Sequence, residues 1–369
     1  MKKSLRDVQS VLIIGTENII VLPVARSLGR LMPQAKLFTQ SPISNRRPAW
    51  AASKFIDDCH YFYTKGDSNV LQELLTCIKS TNADLVLPAD ENYVRFMAKY
   101  KHIIKKHVFV PPLPSPQQFD QLVPKDKMNE FLKKNHLPHP NNYRLDDPKL
   151  HNWDIASAPL FLKSVRGSSG TGMQKIHDLD ELYKISVNLN PNNFFIQEEI
   201  KGEIIDCSFL AIDGEIKAYS IQKNLTKNGY NFSTSMEFVR HDQVYNTTRE
   251  VVERSGYSGL ANLDFYIDKN DGQPKLIDFN ARFWVSVLGS KAAGIDFAEL
   301  YCLAALGHPI KKTNYEQCIY LMGKSAIEHH KKQLVNPFLW NSPKRIYTDL
   351  WDRVTDPEPE LIRFMGRKS

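Results

Sequence analysis

Short apolar runs alternate with amphipathic stretches over the first third of the chain. Residues 11–14, 36–39 and 85–87 form runs of strand length, whereas residues 19–31 and 69–79 repeat their apolar positions at the helical period. Strands that alternate with helices are typical of a parallel sheet covered by helices on both faces. The pattern therefore predicts a doubly wound α/β domain at the start of the chain.

Two polar turns follow the strands of this domain. Residues 15–18 (Gly-Thr-Glu-Asn) and 88–91 (Pro-Ala-Asp-Glu) lie at the carboxyl ends of predicted strands, where such sheets bind their ligands. Both turns are candidate substrate positions, although Asp90 has the alternative role of capping the next helix. The first turn holds one glycine, Gly15, where a dinucleotide-binding turn needs three, which argues against a nicotinamide site.

A proline-rich segment interrupts the alternation. Residues 111–116 have the sequence Pro-Pro-Leu-Pro-Ser-Pro, and each proline removes a backbone donor and favours extended chain. We therefore predict that the N-terminal domain covers residues 1–115.

A glycine-rich loop follows the next apolar strand. The predicted strand at residues 159–165 contains one charge, Lys163, and a second short strand is predicted at residues 173–176. A P-loop is excluded, because Met173 and Gln174 stand where it needs Lys and Ser or Thr. The loop predicts a flap whose amides fold over phosphate oxygens, with a flexible hairpin as the alternative. Its residues are Gly167, Ser168, Ser169, Gly170, Thr171 and Gly172.

A second hairpin carries three oxygen ligands. Its strands at residues 262–267 and 275–282 flank an Asn-Asp-Gly turn. Asp264 and Asp278 occupy equivalent positions on the two strands, and Asn280 shares the face of Asp278 because strand side chains repeat every two residues. Such ligands suit Mg²⁺ bound against nucleotide phosphates. The alternatives are exposed carboxylates, or buried ones paired with the nearby arginine at position 282.

Composition and charge limit the class of protein. The 369 residues, 42% hydrophobic and 24% charged, predict a globular protein with more than one packed unit. The net charge of +7 is spread along the chain, so no nucleic-acid partner is predicted. Five scattered cysteines suggest neither a disulfide framework nor a zinc site. The first apolar run is too short for a leader or a membrane span, which predicts a cytoplasmic protein without membrane contact.

The order of these motifs resembles that of the ATP-grasp superfamily, in particular its carbamoyl-phosphate-synthetase-like carboxylate-amine ligases. The resemblance covers most of the chain and weakens after about residue 310. It implies a two-lobed ATP-grasp fold after the N-terminal domain, with lobes at residues 116–196 and 197–310. Residues 311–369 form a C-terminal extension, which we assign to packing or to contacts in a homodimer.

The resemblance also implies roles for individual residues. Lys127 matches a lysine at the start of the nucleotide-binding fold, and His136-Leu137-Pro138 matches a turn that is Gly-Ile-Pro-like in the family. Lys163 and the glycine loop match the phosphate-binding strand and flap. The linker that contacts adenine is matched by Gln197, Glu198, Glu199 and Ile200. The metal ligands and the phosphate-binding arginine are matched by Asp264, Asp278, Asn280 and Arg282.

Two positions depart from the family pattern. The acid that holds the ribose is replaced by Ile204, with Glu203 one residue earlier as its candidate substitute. Asp278 stands where glutamate is usual, which shortens the metal ligand by one methylene.

The implied activity uses ATP with Mg²⁺ or Mn²⁺ to convert a small-molecule carboxylate into an acyl phosphate, with release of ADP. An amine then displaces phosphate to form an amide. We predict that Lys223 and Arg282 hold the transferred phosphoryl group. The alternatives are a carbamoyl- or carboxyphosphate-forming carboxylase, a small-molecule kinase and a non-catalytic nucleotide-binding module.

Overall fold

A four-stranded parallel sheet forms the N-terminal part of the protein. The computed structural model describes residues 3–42, 48–63, 66–155, 159–165, 173–225, 233–311, 313–335 and 344–366. Across the first three of these ranges the sheet has the strand order β3-β2-β1-β4. Its elements are β1 (Ser10–Ile14), α1 (Asn18–Leu31), β2 (Lys36–Pro42), β3 (Asp58–Phe62), α2 (Asp67–Ser80), β4 (Leu85–Pro88) and α3 (Glu91–Ile104).

This arrangement confirms the predicted doubly wound domain. β1 and β4 are buried along their whole length, as expected for strands covered on both faces. β4 is the last strand of the sheet, and Leu85 forms an isolated bridge with Phe109 on its outer side. β3 was not predicted, because the strand mixes Asp58, Cys59 and His60 with aromatic residues and lies at the sheet edge, half-buried.

The next part of the chain forms a small lobe, whose sheet has its own core, while its first two helices pack in the main core of the protein. The capping box of Ser115 and Gln118, with Pro116 at the first helical position, starts its first helix beside the predicted domain boundary. The antiparallel sheet has the order β5-β8-β6-β7, and the β6–β7 pair confirms the predicted hairpin. The elements are α4 (Pro116–Leu122), α5 (Lys125–Lys134), β5 (Asn142–Tyr143), β6 (Leu160–Ser164), β7 (Gln174–Ile176), α6 (Leu179–Asn188) and β8 (Phe194–Glu198).

A seven-stranded sheet forms the large lobe. Its strand order is β13-β12-β9-β10-β11-β14-β15, antiparallel except for the last pair. The elements up to residue 305 are β9 (Gly202–Ile212), β10 (Glu215–Asn224), β11 (Ser235–Phe238), α7 (Asp242–Ser255), β12 (Gly259–Asp268), β13 (Pro274–Asn280), α8 (Val287–Ala292) and α9 (Phe297–Ala305).

The C-terminal residues extend this large sheet. β14 pairs with β11, and β15 adds to β14 in parallel. The elements are β14 (Cys318–Leu321), α10 (Gly323–Val335), β15 (Arg345–Thr348), α11 (Leu350–Thr355) and α12 (Glu358–Gly366). Short 3-10 helices lie at Leu5–Asp7, Ala49–Ala52 and Pro148–Leu150. The predicted residue boundaries of the four segments stay a prediction. Within the described ranges, no helix is both long and apolar enough to cross a bilayer.

A buried ion pair anchors the C-terminal elements to the N-terminal domain. Asp356, between α11 and α12, is fully buried and accepts a hydrogen bond from Arg26 Nε on α1 at 2.9 Å. Its carboxylate also accepts from Ser53 Oγ and from the Lys54 amide, each at 2.8 Å. The Arg26 guanidinium donates further to the Asp356 carbonyl oxygen at 2.8 Å.

We predict that Asp356→Ala strongly destabilises the protein, because it removes the carboxylate that hydrogen-bonds to the buried Arg26 and leaves this arginine with the more distant Glu360, at 3.7 Å. Loss of one partner of a buried ion pair costs roughly 3–5 kcal/mol, which is measurable as a lowered thermal midpoint. The control is Asp146→Ala, which removes an exposed pair with Arg144 and should leave the midpoint unchanged. Equal midpoints for the two variants would contradict the anchoring role of Asp356.

Candidate active site

Two rows of polar side chains cross one face of the large sheet. Residues directly opposite each other on neighbouring strands share a face, and the register links four strands in this way. The first polar row is Gln222, Asp206, Asp264 and Asp278. The second polar row is Ser220, Ser208, Asn262 and Asn280. The other face carries the buried apolar residues Ile221, Cys207, Leu263 and Phe279.

The structure brings the three predicted metal ligands together. Asp264 lies directly opposite Asp278 across the β12–β13 pair, as predicted from the hairpin. Asn280 Nδ2 lies 3.4 Å from Asp264 Oδ2, and Asn262 Nδ2 donates to Asp264 Oδ1 at 2.7 Å. Burial raises the pKa of Asp264, and the nearby charges of Asp206 and Asp278 raise it further.

Asp206 is a third carboxylate that sequence reasoning missed. It is buried beside Asp264, and burial raises its pKa while a hydrogen bond from Gln222 Nε2 at 3.2 Å opposes the shift. Ser286 Oγ donates to Gln222 Oε1 at 2.9 Å and so orients that amide. The sequence does contain a signal for this row. Polar residues at positions 206 and 208 of β9, and at 220 and 222 of β10, alternate with apolar ones.

Lys125, not Lys127, faces the carboxylates. Lys125 Nζ lies 3.0 Å from Asp278 Oδ1 and is largely buried at the start of α5. Lys127 has a side chain that is 52% exposed and pairs with Glu130 at 3.0 Å. Two residues correspond to about 200° around a helix, so the two lysines point in different directions. The structure therefore does not bring Lys127 to the site assigned to it from the resemblance.

Lys163 extends from the small lobe toward the same carboxylates. Burial lowers its pKa to about 8, and the charge of Asp278 opposes this shift. Its ammonium donates to Gln197 Oε1. Gln197 Nε2 in turn donates to Asn142 Oδ1 at 2.8 Å, so β5 and β8 orient the lysine. Two predicted cofactor-binding residues, Lys163 and Gln197, are thus in direct contact.

The linker residues, which begin at the end of β8, connect the small sheet to the large one. Glu198 accepts hydrogen bonds from Tyr143 Oη at 2.5 Å and from Asn141 Nδ2 at 3.1 Å, and Glu199 lies 3.5 Å from Lys175 Nζ. Ile200 is half-buried. The linker ends at Gly202, where a Cβ atom would clash with the carbonyl oxygen of Ile267, and only glycine fits this close approach of two strands.

Lys223 and Glu203 are not brought to the polar rows. Lys223 pairs with Glu203 at 2.6 Å, and both side chains are exposed. Lys223 follows Gln222 on β10 and lies opposite Ile205, so the alternation of side chains places it on the other face of the sheet. The roles predicted for these two residues stay predictions. The glycine loop at residues 167–172 lies outside the described residues.

Arg282 joins the second polar row to the N-terminal domain. It is buried, and it donates to Asn280 Oδ1 at 3.2 Å and to the Phe283 carbonyl oxygen at 2.9 Å. Its Nε lies 3.5 Å from Glu91 Oε1, at the carboxyl end of β4. The alternative predicted for Asp90 is confirmed, since its side chain caps α3 by accepting from the Tyr93 amide.

The site combines hard oxygen ligands with three cations. Lys125, Lys163 and Arg282 come from different elements and surround carboxylates that repel one another. This charge arrangement suits a divalent cation bound together with an anionic phosphate chain. Among the described residues, no three His, Cys, Asp or Glu side chains converge closely enough to hold a metal ion by themselves. The carboxylate and amide oxygens of Asp264, Asp278 and Asn280 would share such an ion with the phosphates.

The comparison with protein families finds one domain. Residues 124–286 match the family model described as an ATP-grasp domain. The match begins before α5 and ends after Arg282, so it includes Lys125, Lys163 and both polar rows. The comparison with curated protein sequences gives no significant match.

Solved structures share the architecture of the chain. N5-carboxyaminoimidazole synthetase from Staphylococcus aureus, complexed with ADP, has a TM-score of 0.66 at 15% identity, over 91% of this chain and 88% of that one. L-amino acid ligase from Bacillus licheniformis has a TM-score of 0.62 at 19% identity, over 82% and 75%. A biotin carboxylase β-γ-ATP complex from Campylobacter jejuni has a TM-score of 0.62 at 16% identity, over 82% and 71%. These likenesses confirm the predicted fold.

We predict that Asp264→Asn raises the thermal midpoint of the ligand-free protein in EDTA at pH 7–8. Removing one of three clustered carboxylates relieves repulsion, and about 1 kcal/mol corresponds to a rise of roughly 2–4 °C. The folded-state pKa of Asp264 is raised, so its destabilising effect is absent at low pH and grows as the pH rises toward that pKa. The advantage of Asp264→Asn should therefore shrink on acidification.

Asp268→Asn is the matched control on the same strand. Asp268 pairs with Lys275, and the pKa of this carboxyl is lowered, so the substitution should lower the midpoint instead. A lowered midpoint for Asp264→Asn as well would show that the carboxylates of the first polar row do not repel one another.

Proposed function

We propose that this chain is an ATP-dependent carboxylate-amine ligase, because residues 124–286 match the model of the ATP-grasp domain. It binds ATP with Mg²⁺ or Mn²⁺, phosphorylates a small-molecule carboxylate and transfers the acyl group to an amine. One observation carries the proposal: Lys125, Lys163 and Arg282 face the carboxylate and amide oxygens of the polar rows. Cations and metal ligands in this arrangement can hold the phosphates and stabilise charge during phosphoryl transfer.

The residues around the polar rows have separate binding roles. Asp264, Asp278 and Asn280 would hold the metal ion, which neutralises charge on the phosphates when bound. Lys163 supplies a positive charge to the phosphate chain, and Gln197 orients that lysine. The linker residues Gln197 to Ile200 bind the adenine, with Glu203 as the candidate ribose ligand. The glycine loop at residues 167–172 covers the phosphates.

The reaction proceeds in two displacements. A carboxylate oxygen of the substrate attacks the γ-phosphorus, the bond to the bridging oxygen of ADP breaks, and an acyl phosphate forms. The amine then attacks the acyl carbon, loses a proton and expels inorganic phosphate. Arg282 lies at the end of the second polar row beside the N-terminal domain, where it can hold the carboxylate and the transferred phosphoryl group.

The names of the similar structures support this class of reaction and one variant of it. L-amino acid ligase is named for carboxylate-amine ligation. Biotin carboxylase and N5-carboxyaminoimidazole synthetase have names that refer to carboxylation, and for this chain that variant would use bicarbonate as the carboxylate. We therefore treat bicarbonate dependence as a distinct outcome of the functional test.

We predict that the nucleotide product is ADP. A panel of carboxylates is incubated with Mg·ATP and hydroxylamine, which traps acyl phosphates as hydroxamates, and the nucleotides are separated by chromatography. ADP and hydroxamate appearing together support the proposal, and bicarbonate-dependent ADP release without hydroxamate supports the carboxylase. ADP with a stable phosphorylated product indicates a kinase. AMP with pyrophosphate contradicts attack at the γ-phosphorus.

We predict that Lys163→Met lowers turnover on the order of a hundredfold or more, as the loss of preorganised electrostatic stabilisation does. The thermal midpoint should be unchanged or higher, because burial lowers the pKa of Lys163 and its charge is therefore unfavourable in the folded protein. Lys99→Met, which removes an exposed ammonium paired with Asp67 in the N-terminal domain, is the control. Equal turnover for the two variants would exclude Lys163 from catalysis.

A further inference from the structure

The carboxylate of Glu91 lies beside Arg282 and has few hydrogen-bond donors around it among the described residues. Its side chain is 31% exposed, so solvent and small molecules can reach it. Among the described residues, its one charged partner within 4 Å is Arg282, at 3.5 Å, and it accepts no hydrogen bond there. A carboxylate accepts up to about four hydrogen bonds and donates none. Glu91 therefore has free acceptor capacity that faces the candidate active site.

The position of Glu91 is fixed by the turn on which it stands. Asp90 Oδ2 accepts from the Thr16 amide at 2.7 Å and from Thr16 Oγ1 at 2.9 Å, which ties the turn after β4 to the turn after β1. A Cβ atom at Gly15 would lie 2.9 Å from Ala89 Cβ, so the two turns are in close contact. The predicted substrate positions at residues 15–18 and 88–91 are thus one rigid unit with Glu91 at its edge.

The charged form of Glu91 would be stabilised by a cationic ligand. Burial raises the pKa of Glu91 to about 7, Arg282 and Lys125 lower it, and Asp278 and Glu17 raise it. The two cations already have anionic or polar partners, since Lys125 pairs with Asp278 and Arg282 donates to Asn280 and Phe283. An ammonium group placed between Glu91 and Glu17 would offset the repulsion and fill the free acceptor positions of Glu91.

We propose that the carboxylate substrate of this enzyme is an α-amino acid whose ammonium group binds Glu91. This inference rests on the proposed function, in which Arg282 holds the carboxylate that is phosphorylated. The Arg282 guanidinium and the Glu91 carboxylate are 3.5 Å apart and carry opposite charges. An α-amino acid carries its carboxylate and its ammonium on one carbon, so it can bridge two such neighbouring groups.

The test compares each amino acid with the carboxylate that lacks its amino group. ADP release and hydroxamate formation are measured for the common L-amino acids and for matching des-amino acids, such as propionate for alanine and 3-phenylpropionate for phenylalanine. We expect kcat/KM to favour the amino acid by on the order of tenfold or more, as expected for a charge-assisted hydrogen bond. Equal turnover of both members of every pair, or turnover of the des-amino acids alone, overturns the proposal.

Glu91→Gln then assigns the selectivity to one residue. The variant should raise KM for the amino acid on the order of tenfold or more and leave the des-amino acid within about twofold of wild type. Glu91→Asp keeps the charge and should recover part of the selectivity. Glu250→Gln, which removes an exposed carboxylate from a pair with Arg254, is the matched control. An equal loss on both substrates would mean that Glu91 only positions Arg282, and the proposal would be wrong.

Failure of this inference can be distinguished from failure of the proposed function. Turnover of carboxylates that lack an amino group, with ADP as product, would leave the ligase proposal intact and remove the role of Glu91. Release of AMP, or the absence of Mg·ATP binding by calorimetry, would remove the ligase proposal itself. If no amino acid causes ADP release, the inference is wrong, whether or not the ligase proposal holds.

Discussion

The candidate site depends on the crowding of like charges on one face of a sheet. Asp206, Asp264 and Asp278 stand side by side on β9, β12 and β13 because the register of those strands sets them directly opposite one another. The carboxylates of such a row repel one another, and the row is stable only where cations approach it. The small lobe brings Lys125 and Lys163 toward the row, and Arg282 follows β13 itself. The charge balance of the first polar row therefore links the two lobes.

Much of the architecture could be predicted from the sequence, since its signals are local. Hydrophobic periodicity located β1, β2, β4, α1 and α2, and the Asp-Gly turn located the β12–β13 hairpin with its register. β3 carries no clear alternation and was missed. Residues 311–369 were predicted as an extension for packing or homodimer contacts, whereas β14 and β15 within it complete the large sheet. A pairing between strands about 80 residues apart, such as β11 with β14, leaves no periodic signal in either strand.

The candidate site was predictable where one hairpin or one strand defines it, and less so where several elements meet. Asp264, Asp278 and Asn280 lie on one hairpin, so strand alternation was sufficient to group them. Asp206 and Gln222 join the row only through the pairing of distant strands. Lys127 was assigned from motif order and Lys125 was missed, although helix geometry orients only Lys125 toward Asp278. Lys223 was assigned a role without regard to the face of β10 on which it lies.

The contact between Arg26 and Asp356 has a consequence for how the chain folds during synthesis. The two residues are 330 positions apart, so the partner of a buried arginine emerges from the ribosome only after both lobes have been made. Until then Arg26 lacks the carboxylate with which it is buried in the finished protein. We therefore expect nascent chains that stop before α11 to be more sensitive to proteases than the finished protein. Completion of the C-terminal elements would then act as the closing step of folding.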